Sequence, residues 1–289
     1  MLPIHKIVWH EWRARGAGAR VPEPEAMTDP EQIRSYMQAY EWGGPTSGLQ
    51  LYHLHCLSRL IRPSDTVLDL ACGPGPLLLE LARLYPECEF IGADLSQPML
   101  DALEETARQE GLQNVRTLRE DIRCLPSIPR ASIDVVISTS SLHHLPDTPS
   151  LRATFEKARE VARPTGAFYF FDFGLLRSPA TRRIMVQEVA RLALPVTVHD
   201  YAMSLDAAFP VDLVFQLAGE AFGTAVECHS SALVDVFYVL RSPPTLQASK
   251  PAVDEFLRTT RRRLPWSSIA EYAMLSGLQP KRRATRAVN

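Results

Sequence analysis

The chain has 289 residues, of which 46% are hydrophobic and 22% are charged, and its formal net charge is −2. This is the composition of an ordinary globular protein, long enough for one large domain with attachments. No apolar run approaches the roughly 18 residues of a membrane-spanning helix, and the five cysteines, without a C-x-x-C pair, favour neither a disulfide framework nor a zinc site. We therefore expect a soluble cytoplasmic protein.

The first 48 residues contain a single helix signal and are expected to form a cap beside the main domain. Thr28 and Glu31 have the spacing of a capping box, and Pro30 suits the first helical turn. Apolar residues then recur at helical spacing, at Ile33, Tyr36, Met37 and Tyr40. Such a helix serves either as a lid over an active site or as a simple packing element.

From residue 49 onward, helix and strand patterns alternate. Helices are predicted near residues 49–60, 76–84, 96–110 and 151–161, and strands near residues 66–71, 89–92, 115–118, 133–138 and 167–173. This alternation predicts a parallel sheet with helices on both faces.

The end of this region differs, because a helix near 211–221 is followed by two strands, 225–229 and 234–240, with only a short connection. The sequence thus predicts an α/β fold: a doubly wound, mostly parallel sheet of seven strands with a carboxyl-terminal antiparallel hairpin. We expect three parts: a helical cap over 1–48, a nucleoside-binding domain over 49–241 and a helical extension over 242–289.

The extension is basic. Residues 241–289 carry ten Lys or Arg and three Asp or Glu, a balance of +7, which leaves −9 for the rest of the chain. Its clusters, Arg261–Arg263 and Lys281–Arg283, form either a nucleic-acid contact or, as is commoner, a solvated surface. Its two helical segments, near 252–263 and 266–278, can pack on the domain or on a second subunit of a homodimer.

The segment VLDLACGPG, residues 67–75, is a strand that runs into a glycine loop and a helix start, which places free backbone N–H groups beside a ligand. Asp94 follows the second strand, where an acidic residue accepts hydrogen bonds from ribose hydroxyls. Leu78 occupies the third glycine position of a dinucleotide fingerprint, and Asp69 would repel a pyrophosphate but receive an ammonium. The pattern therefore favours S-adenosylmethionine (SAM) over NAD.

Four segments in this order and spacing resemble class I SAM-dependent methyltransferases: residues 69–75, Asp94, residues 120–122 and residues 140–145. The resemblance covers roughly residues 45–240 and departs at Ala71, where the family usually has a glycine. It implies a Rossmann-like fold and SAM as cofactor. The cofactor contacts it implies are Asp69, Ala71, Cys72, Gly73, Gly75, Asp94, Leu95, Met99, Asp121, Ile122 and Ser138. Alternatively, Asp121 is a surface turn residue and Met99 is a core residue of its helix.

Candidate catalytic residues lie after the fourth predicted strand and in the later segment HDYAMSLDAAF: Thr139, His143, His144, Tyr201 and Ser204. His143 or His144 can act as a general base because imidazole titrates near neutrality, or can merely cap the following helix. We predict no metal site; His53 and His55, two apart on a helix, point in different directions.

A narrower resemblance is to a branch of small-molecule methyltransferases that includes azetidine-2-carboxylate synthases, based on residues 20–25, the SLHHL run and residues 201–209. It implies ring closure of SAM with release of methylthioadenosine, directed by residues at positions 139, 176 and 204. Thr139 and Leu176 depart from the implied asparagine and tyrosine, so an aromatic contact to the sulfonium would come from Tyr169, Phe171 or Phe173. Methyl transfer to a small molecule, in secondary metabolism, is the first hypothesis; SAM cyclisation and RNA binding or modification are the alternatives.

Overall fold

The computed structural model describes residues 3–16, 18–191, 193–245 and 250–280. The helices in these ranges are α1 (Ile4–Arg13), α2 (Pro30–Ala39), α3 (Ser47–Leu57), α4 (Pro76–Leu84), α5 (Gln97–Gln109), α6 (Thr148–Val161), α7 (Pro179–Val189), α8 (Pro195–Ala207), α9 (Val211–Phe222), α10 (Pro251–Arg263) and α11 (Trp266–Ser276). The strands are β1 (Thr66–Leu70), β2 (Glu89–Asp94), β3 (Val115–Arg119), β4 (Ile133–Thr139), β5 (Ala162–Phe173), β6 (Glu227–Ser230), β7 (Phe237–Arg241) and β8 (Gln279–Pro280).

The strands form one sheet in the order β3-β2-β1-β4-β5-β7-β6-β8. Strands β1 to β5 are parallel, whereas β7, β6 and β8 each pair antiparallel with their neighbours. This confirms the α/β fold and the terminal hairpin. The predicted count of seven strands is wrong, because the two-residue strand β8 adds an eighth at the edge. So short a segment, half of it proline, has no alternation to detect.

The sheet is covered on both faces, and β1 shows how the sequence produces this. Val67 points into one apolar cluster, with α3, α4 and α5, while Leu68 and Leu70 point into the other, with α6 and α9. A buried parallel strand therefore needs apolar residues on both faces, which is why β1 reads as an uninterrupted apolar run.

The described part of the carboxyl-terminal extension packs on the main domain. Val253, Leu257 and Leu275 are buried in the same cluster as α3, and β8 continues the sheet. Lys281, Arg282 and Arg283 lie outside the described residues.

Several boundaries differ from the predictions. Helix α2 is capped by Asp29, whose side chain accepts a hydrogen bond from the Glu31 N–H at 2.7 Å, and not by Thr28. Strand β5 begins at Ala162 and not at residue 167, because Ala162 already pairs with Ile133. Helices α1, α7 and α8 had no counterpart among the predicted elements.

The order of the strands has a switch point between β1 and β4. The connections that follow β1 lead towards the β3 edge of the sheet, whereas the connection that follows β4 leads the opposite way, to β5. In open α/β sheets, ligands bind outside the carboxyl ends of the strands at this point. Among the described residues, no helix combines the length and the apolar character needed to cross a membrane.

Candidate functional site

The loop after β1 has a backbone that only small residues tolerate well. Ala71, Gly73 and Gly75 all have positive φ angles, of 54°, 55° and 65°, the left-handed region that costs an L-residue energy. A Cβ at Gly75 would lie 2.6 Å from Leu103 Cδ1, whereas a Cβ at Gly73 would meet nothing closer than Met99 Sδ at 4.0 Å. Gly75 is therefore required for packing, while Gly73 leaves space beside the loop.

Asp94 holds this loop in place. Its Oδ2 accepts a hydrogen bond from the Gly73 N–H and its Oδ1 accepts one from the Ser96 N–H, each at 2.8 Å. Burial raises the pKa of Asp94, although these N–H groups act in the opposite direction. The carboxylate thus joins the ends of β1 and β2, and its predicted contact with a ribose stays a prediction.

Asp69 lies deeper and has less support. Its side chain is buried, and Oδ1 has no hydrogen-bond partner among the described residues. Burial, and then the negative charge of Asp94, raise the pKa of Asp69 well above its ordinary value. A buried carboxylate in this position is stabilised by a cation, so the residue fits the ammonium of an amino acid ligand.

Helix α2 covers this part of the site. The rings of Tyr36 and Tyr40 stack with their centroids 4.8 Å apart. Burial raises the pKa of both hydroxyls, and the charge of Asp69 raises both further. Both hydroxyls are therefore near enough to Asp69 to be affected by its charge, and the predicted role of α2 as a lid stays a prediction.

Residues implied as adenine contacts have mixed surroundings. The Asp121 carboxylate accepts hydrogen bonds from the Arg123 guanidinium at 2.7–2.9 Å, and these bonds lower its pKa. The Ile122 side chain is buried in the same core cluster as Leu68 and Leu70 of β1. Leu95 is 36% exposed, and Met99 is buried near Gly73.

The end of β4 is held by hydroxyl groups. The buried Ser138 hydroxyl donates to the Leu70 carbonyl at 2.9 Å, and its oxygen lies 2.6 Å from Ser141 Oγ. Thr139 is half-buried at the last position of the strand, and Ser140 follows with a φ of 52°. These contacts lock the turn that leads to His143.

His143 lies in a short 3-10 turn between two carboxylates. Its Nδ1 is 2.6 Å from Asp172 Oδ1, at the end of β5, and its backbone N–H donates to Asp172 Oδ2. Its Nε2 is 3.2 Å from Glu23 Oε1. Burial lowers the pKa of His143, but the charge of Asp172, their hydrogen bond and Glu23 outweigh it, so the pKa is raised.

The neighbouring groups titrate differently. Burial, and then the charge of His143, lower the pKa of His144 to about 4, so this ring is neutral at neutral pH. Burial raises the pKa of Glu23 to about 7, although His143 and a hydrogen bond from Ser204 oppose the change. The charges of Glu23 and His143 each affect the pKa of the other group, so the two titrate as a coupled pair.

Glu23 was not among the residues predicted for the site, and it is brought there by an extended segment that we call the arm, residues 18–29. The Arg20 guanidinium donates to the carbonyls of His143, Leu145, Pro146 and Ala207. The Ser96 hydroxyl donates to the Met27 carbonyl, and Glu25 pairs with Arg123 at 3.0 Å. The arm thus crosses the carboxyl ends of the strands, from the turn after β4 to the turn after β2.

Helix α8 supplies the last two candidates. Tyr201 packs edge-on against Phe173, with centroids 5.6 Å apart, and the same Phe173 ring lies 5.4 Å from His143. Ser204 is buried, donates to the Asp200 carbonyl at 3.0 Å and also reaches Glu23. Leu176, the position implied for a tyrosine, is a core residue packed with Ile7 and Met185.

Comparison with known proteins gives a consistent result for the central region. The family described as "Methyltransferase domain" matches residues 67–166. The chain is 33% identical over 106 residues to the nocamycin O-methyltransferase of Saccharothrix syringae, a match that covers 36% of each protein. The chain spans between 36% and 59% of the length of such curated relatives.

Solved structures share the fold at low identity. A SAM-dependent methyltransferase from Aquifex aeolicus aligns with a TM-score of 0.52 and 17% identity, over 75% of this chain and 98% of that one. The plantazolicin methyltransferase BpumL, solved with a desmethylated plantazolicin analogue and S-adenosylhomocysteine (SAH), aligns with a TM-score of 0.54 and 14% identity, over 81% and 85%.

Proposed function

We propose that the chain, whose residues 67–166 match the methyltransferase domain family, is a class I SAM-dependent methyltransferase that transfers a methyl group from SAM to a small molecule of secondary metabolism. The observation that carries the proposal is the buried Oδ1 of Asp69 near the end of β1, which has no hydrogen-bond partner in the described part of the chain. A carboxylate in this position is costly unless a cation reaches it. The ammonium of the methionyl group of SAM is such a cation.

The residues present fit this cofactor. Asp69 and the backbone around Gly73 would hold the methionyl part, Asp94 the ribose, and Leu95 and Met99 the adenine. When bound, SAM supplies a methyl group on a sulfonium leaving group. The chain then has to orient a nucleophile, exclude water and, where the nucleophile is protonated, remove its proton.

The arm and α2 exclude water from the site. Together they lay Glu23, Met27, Tyr36 and Tyr40 over the loop and the ends of β2 and β4. A cover anchored on both sides of the sheet leaves little access for a large acceptor and favours a small molecule. Names such as nocamycin and plantazolicin methyltransferase support the assignment to secondary metabolism.

The groups that can activate the acceptor are Glu23, His143 and His144, with Asp172 behind His143. Ser204 of α8 reaches Glu23, and Tyr201 packs on the Phe173 ring that also lies beside His143. The predicted role of His143 or His144 as general base stays a prediction, and Thr139, Tyr201 and Ser204 are proposed to line the acceptor.

Product analysis tests the proposal. The chain is incubated with methyl-labelled SAM alone, with a low-mass fraction of a cell extract and, separately, with RNA. We expect SAH and a labelled small molecule only when the extract is added. Methylthioadenosine formed from SAM alone would contradict methyl transfer and support ring closure, and label recovered only in added RNA would support RNA modification.

A further inference from the structure

Three side chains beside the proposed acceptor region are arranged as metal ligands. Glu23, His143 and His144 each offer one donor atom, and these atoms lie within 4.8 Å of one another. They come from two separate segments, the arm and the 3-10 turn after β4. The turn alone presents two imidazoles side by side, and the arm brings the carboxylate to them.

The two separations that involve Glu23 match a shared ion. Glu23 Oε1 lies 3.2 Å from His143 Nε2 and 3.5 Å from His144 Nδ1. Donors bound at about 2.1 Å to one ion are about 3.0 Å apart in an octahedral site and about 3.4 Å apart in a tetrahedral site. The Pro24 carbonyl, 3.0 Å from His144 Nδ1, falls in the same range. Without an ion, His144 Nδ1 donates a hydrogen bond to the Pro24 carbonyl. When an ion is bound, the nitrogen and the carbonyl oxygen can both coordinate it.

The state of Glu23 Oε1 supports the same conclusion. This oxygen is buried and has no hydrogen-bond partner in the described part of the chain, although it is 3.2 Å from a ring nitrogen. The distance is short, but the N–H of the ring is not directed at it. An ion placed between the donors satisfies this oxygen, whereas a direct hydrogen bond does not.

Asp172 completes the arrangement. Its carboxylate lies behind His143, on the nitrogen opposite the proposed ligand atom, at 2.6 Å, and also accepts from the His143 backbone. A carboxylate in this position fixes the ring orientation and the tautomer of a metal-bound histidine and strengthens it as a ligand.

We propose that Glu23, His143 and His144 bind one divalent transition-metal ion of the zinc type. Two imidazoles and one carboxylate suit Zn²⁺, Co²⁺, Ni²⁺ or Fe²⁺ better than Mg²⁺ or Ca²⁺, which prefer oxygen ligands throughout. With three side-chain ligands, the ion keeps a position for an oxygen of the acceptor. There it lowers the pKa of an acceptor hydroxyl. This last role, but not ion binding itself, rests on the proposed methyl transfer.

Cobalt titration tests the site. The full chain is freed of metal with a chelator and titrated with Co²⁺ alone, and visible absorption is recorded. We expect one Co²⁺ per chain, displaced by Zn²⁺. Glu23→Gln and His144→Gln should weaken binding at least about 10-fold, and Asp172→Asn roughly 10-fold to 100-fold. His5→Gln, which removes an exposed histidine of α1, should leave the titration unchanged.

The inference is overturned if the wild-type chain gives no cobalt absorption, or if the variants at Glu23 and His144 bind Co²⁺ as tightly as wild type. His144 is partly exposed, so its variant decides the matter if a variant at a buried position fails to fold. SAH binding is measured on the same samples. A wild-type chain that does not bind SAH would count against the proposed function. A wild-type chain that binds SAH but not Co²⁺ would count against the metal site.

Discussion

Single residues at the candidate site combine function with a cost in stability, and Asp69 is the clearest case. It is buried, partly unpartnered and close to a second carboxylate. We expect Asp69→Asn to stabilise the ligand-free chain by about 1 kcal/mol, because it removes a buried charge. The same change should weaken SAH binding roughly 10-fold to 100-fold, since a hydrogen bond to a charged group is worth about 1.5–3 kcal/mol.

Denaturant unfolding and calorimetry measure these two effects. Asp94→Asn is the matched comparison, because Asp94 already accepts two backbone hydrogen bonds that support the loop. It should reduce both stability and SAH affinity. If Asp69→Asn neither stabilises the chain nor weakens SAH binding, Asp69 does not receive the ammonium.

The glycine loop gives a second test at this scale. Gly75→Ala combines a positive φ with a clash against Leu103, so we expect it to lower the free energy of unfolding by about 2–4 kcal/mol. Gly111→Ala has the same backbone conformation but open space around it, and should cost only about 1 kcal/mol. Chemical denaturation of both variants separates the cost of backbone strain from the cost of the clash. Equal losses of unfolding free energy would show that the Leu103 side chain moves aside without a cost in stability.

The structural features that the sequence predicts correctly are those whose signal is local. These are the loop after β1, the helix start at residue 76 and the place of Asp94 at the end of β2, which follow from glycine spacing and strand ends within about 30 residues. Glu23 was missed because it lies in an extended arm without periodicity and meets His143 only in the folded chain. The one signal for it was the resemblance of residues 20–25 to a branch of small-molecule methyltransferases.

At the scale of elements, Arg20 anchors the amino-terminal part of the arm. Arg20 donates to four carbonyls on the turn after β4 and the end of α8 and lies over the Phe209 ring. We expect Arg20→Ala to release the arm, so that a glutamate-specific protease cleaves it faster after Glu25, and SAH binding weakens about 10-fold. Limited proteolysis, with and without SAH, measures the release.

Arg15→Ala is the control, because Arg15 is an exposed arginine just before the arm and its removal changes charge equally. It should leave proteolysis of the arm and SAH affinity at the wild-type values. An arm that resists cleavage equally in both variants would mean that Arg20 does not anchor it.

The alternating elements were predictable because a parallel sheet covered on both faces imposes apolar strands and amphipathic helices in turn. The helices that were missed lack that pattern. Helix α8 has apolar residues around its whole circumference, and α7 buries little beyond Thr181 and Met185. Both begin at a proline after a loop and pack chiefly on α1, α2 and each other, so their position is set by tertiary contacts.

At the scale of the whole molecule, the carboxyl-terminal extension is joined to the domain through a titrating group. Glu271 of α11 accepts hydrogen bonds from the Gly48 and Leu49 N–H groups at the start of α3, and burial raises its pKa to about 7. The folded chain therefore holds this proton more tightly than the unfolded chain. We expect its contribution to stability to be greatest below about pH 4.5 and to fall as pH rises towards 7.

Glu271→Gln isolates this term, because the amide keeps the shape without a charge. The difference in unfolding free energy between wild type and variant should change by on the order of 1 kcal/mol between pH 4.5 and 7.5, in favour of the variant at the higher pH. A difference independent of pH would contradict the raised pKa.

The extension also bears on the RNA-binding alternative. Deletion of residues 242–289 would remove Val253, Leu257 and Leu275 from the core, so it would unfold the domain as well as remove charge. Replacing the exposed Arg258, Arg261 and Arg262 by glutamine tests the surface alone. Small-molecule methyl transfer predicts negligible RNA retention by the wild-type chain and by this variant; retention lost only in the variant would contradict it.

The central claim is that Asp69, the glycine loop and Asp94 bind a sulfonium nucleoside beneath the arm and α2. Isothermal calorimetry of the full chain with SAM and with SAH tests it most directly. We predict one site per chain for both ligands, weakened by Asp69→Asn and by Asp94→Asn. No heat with either ligand from folded protein, or unchanged affinity in both variants, would contradict the account.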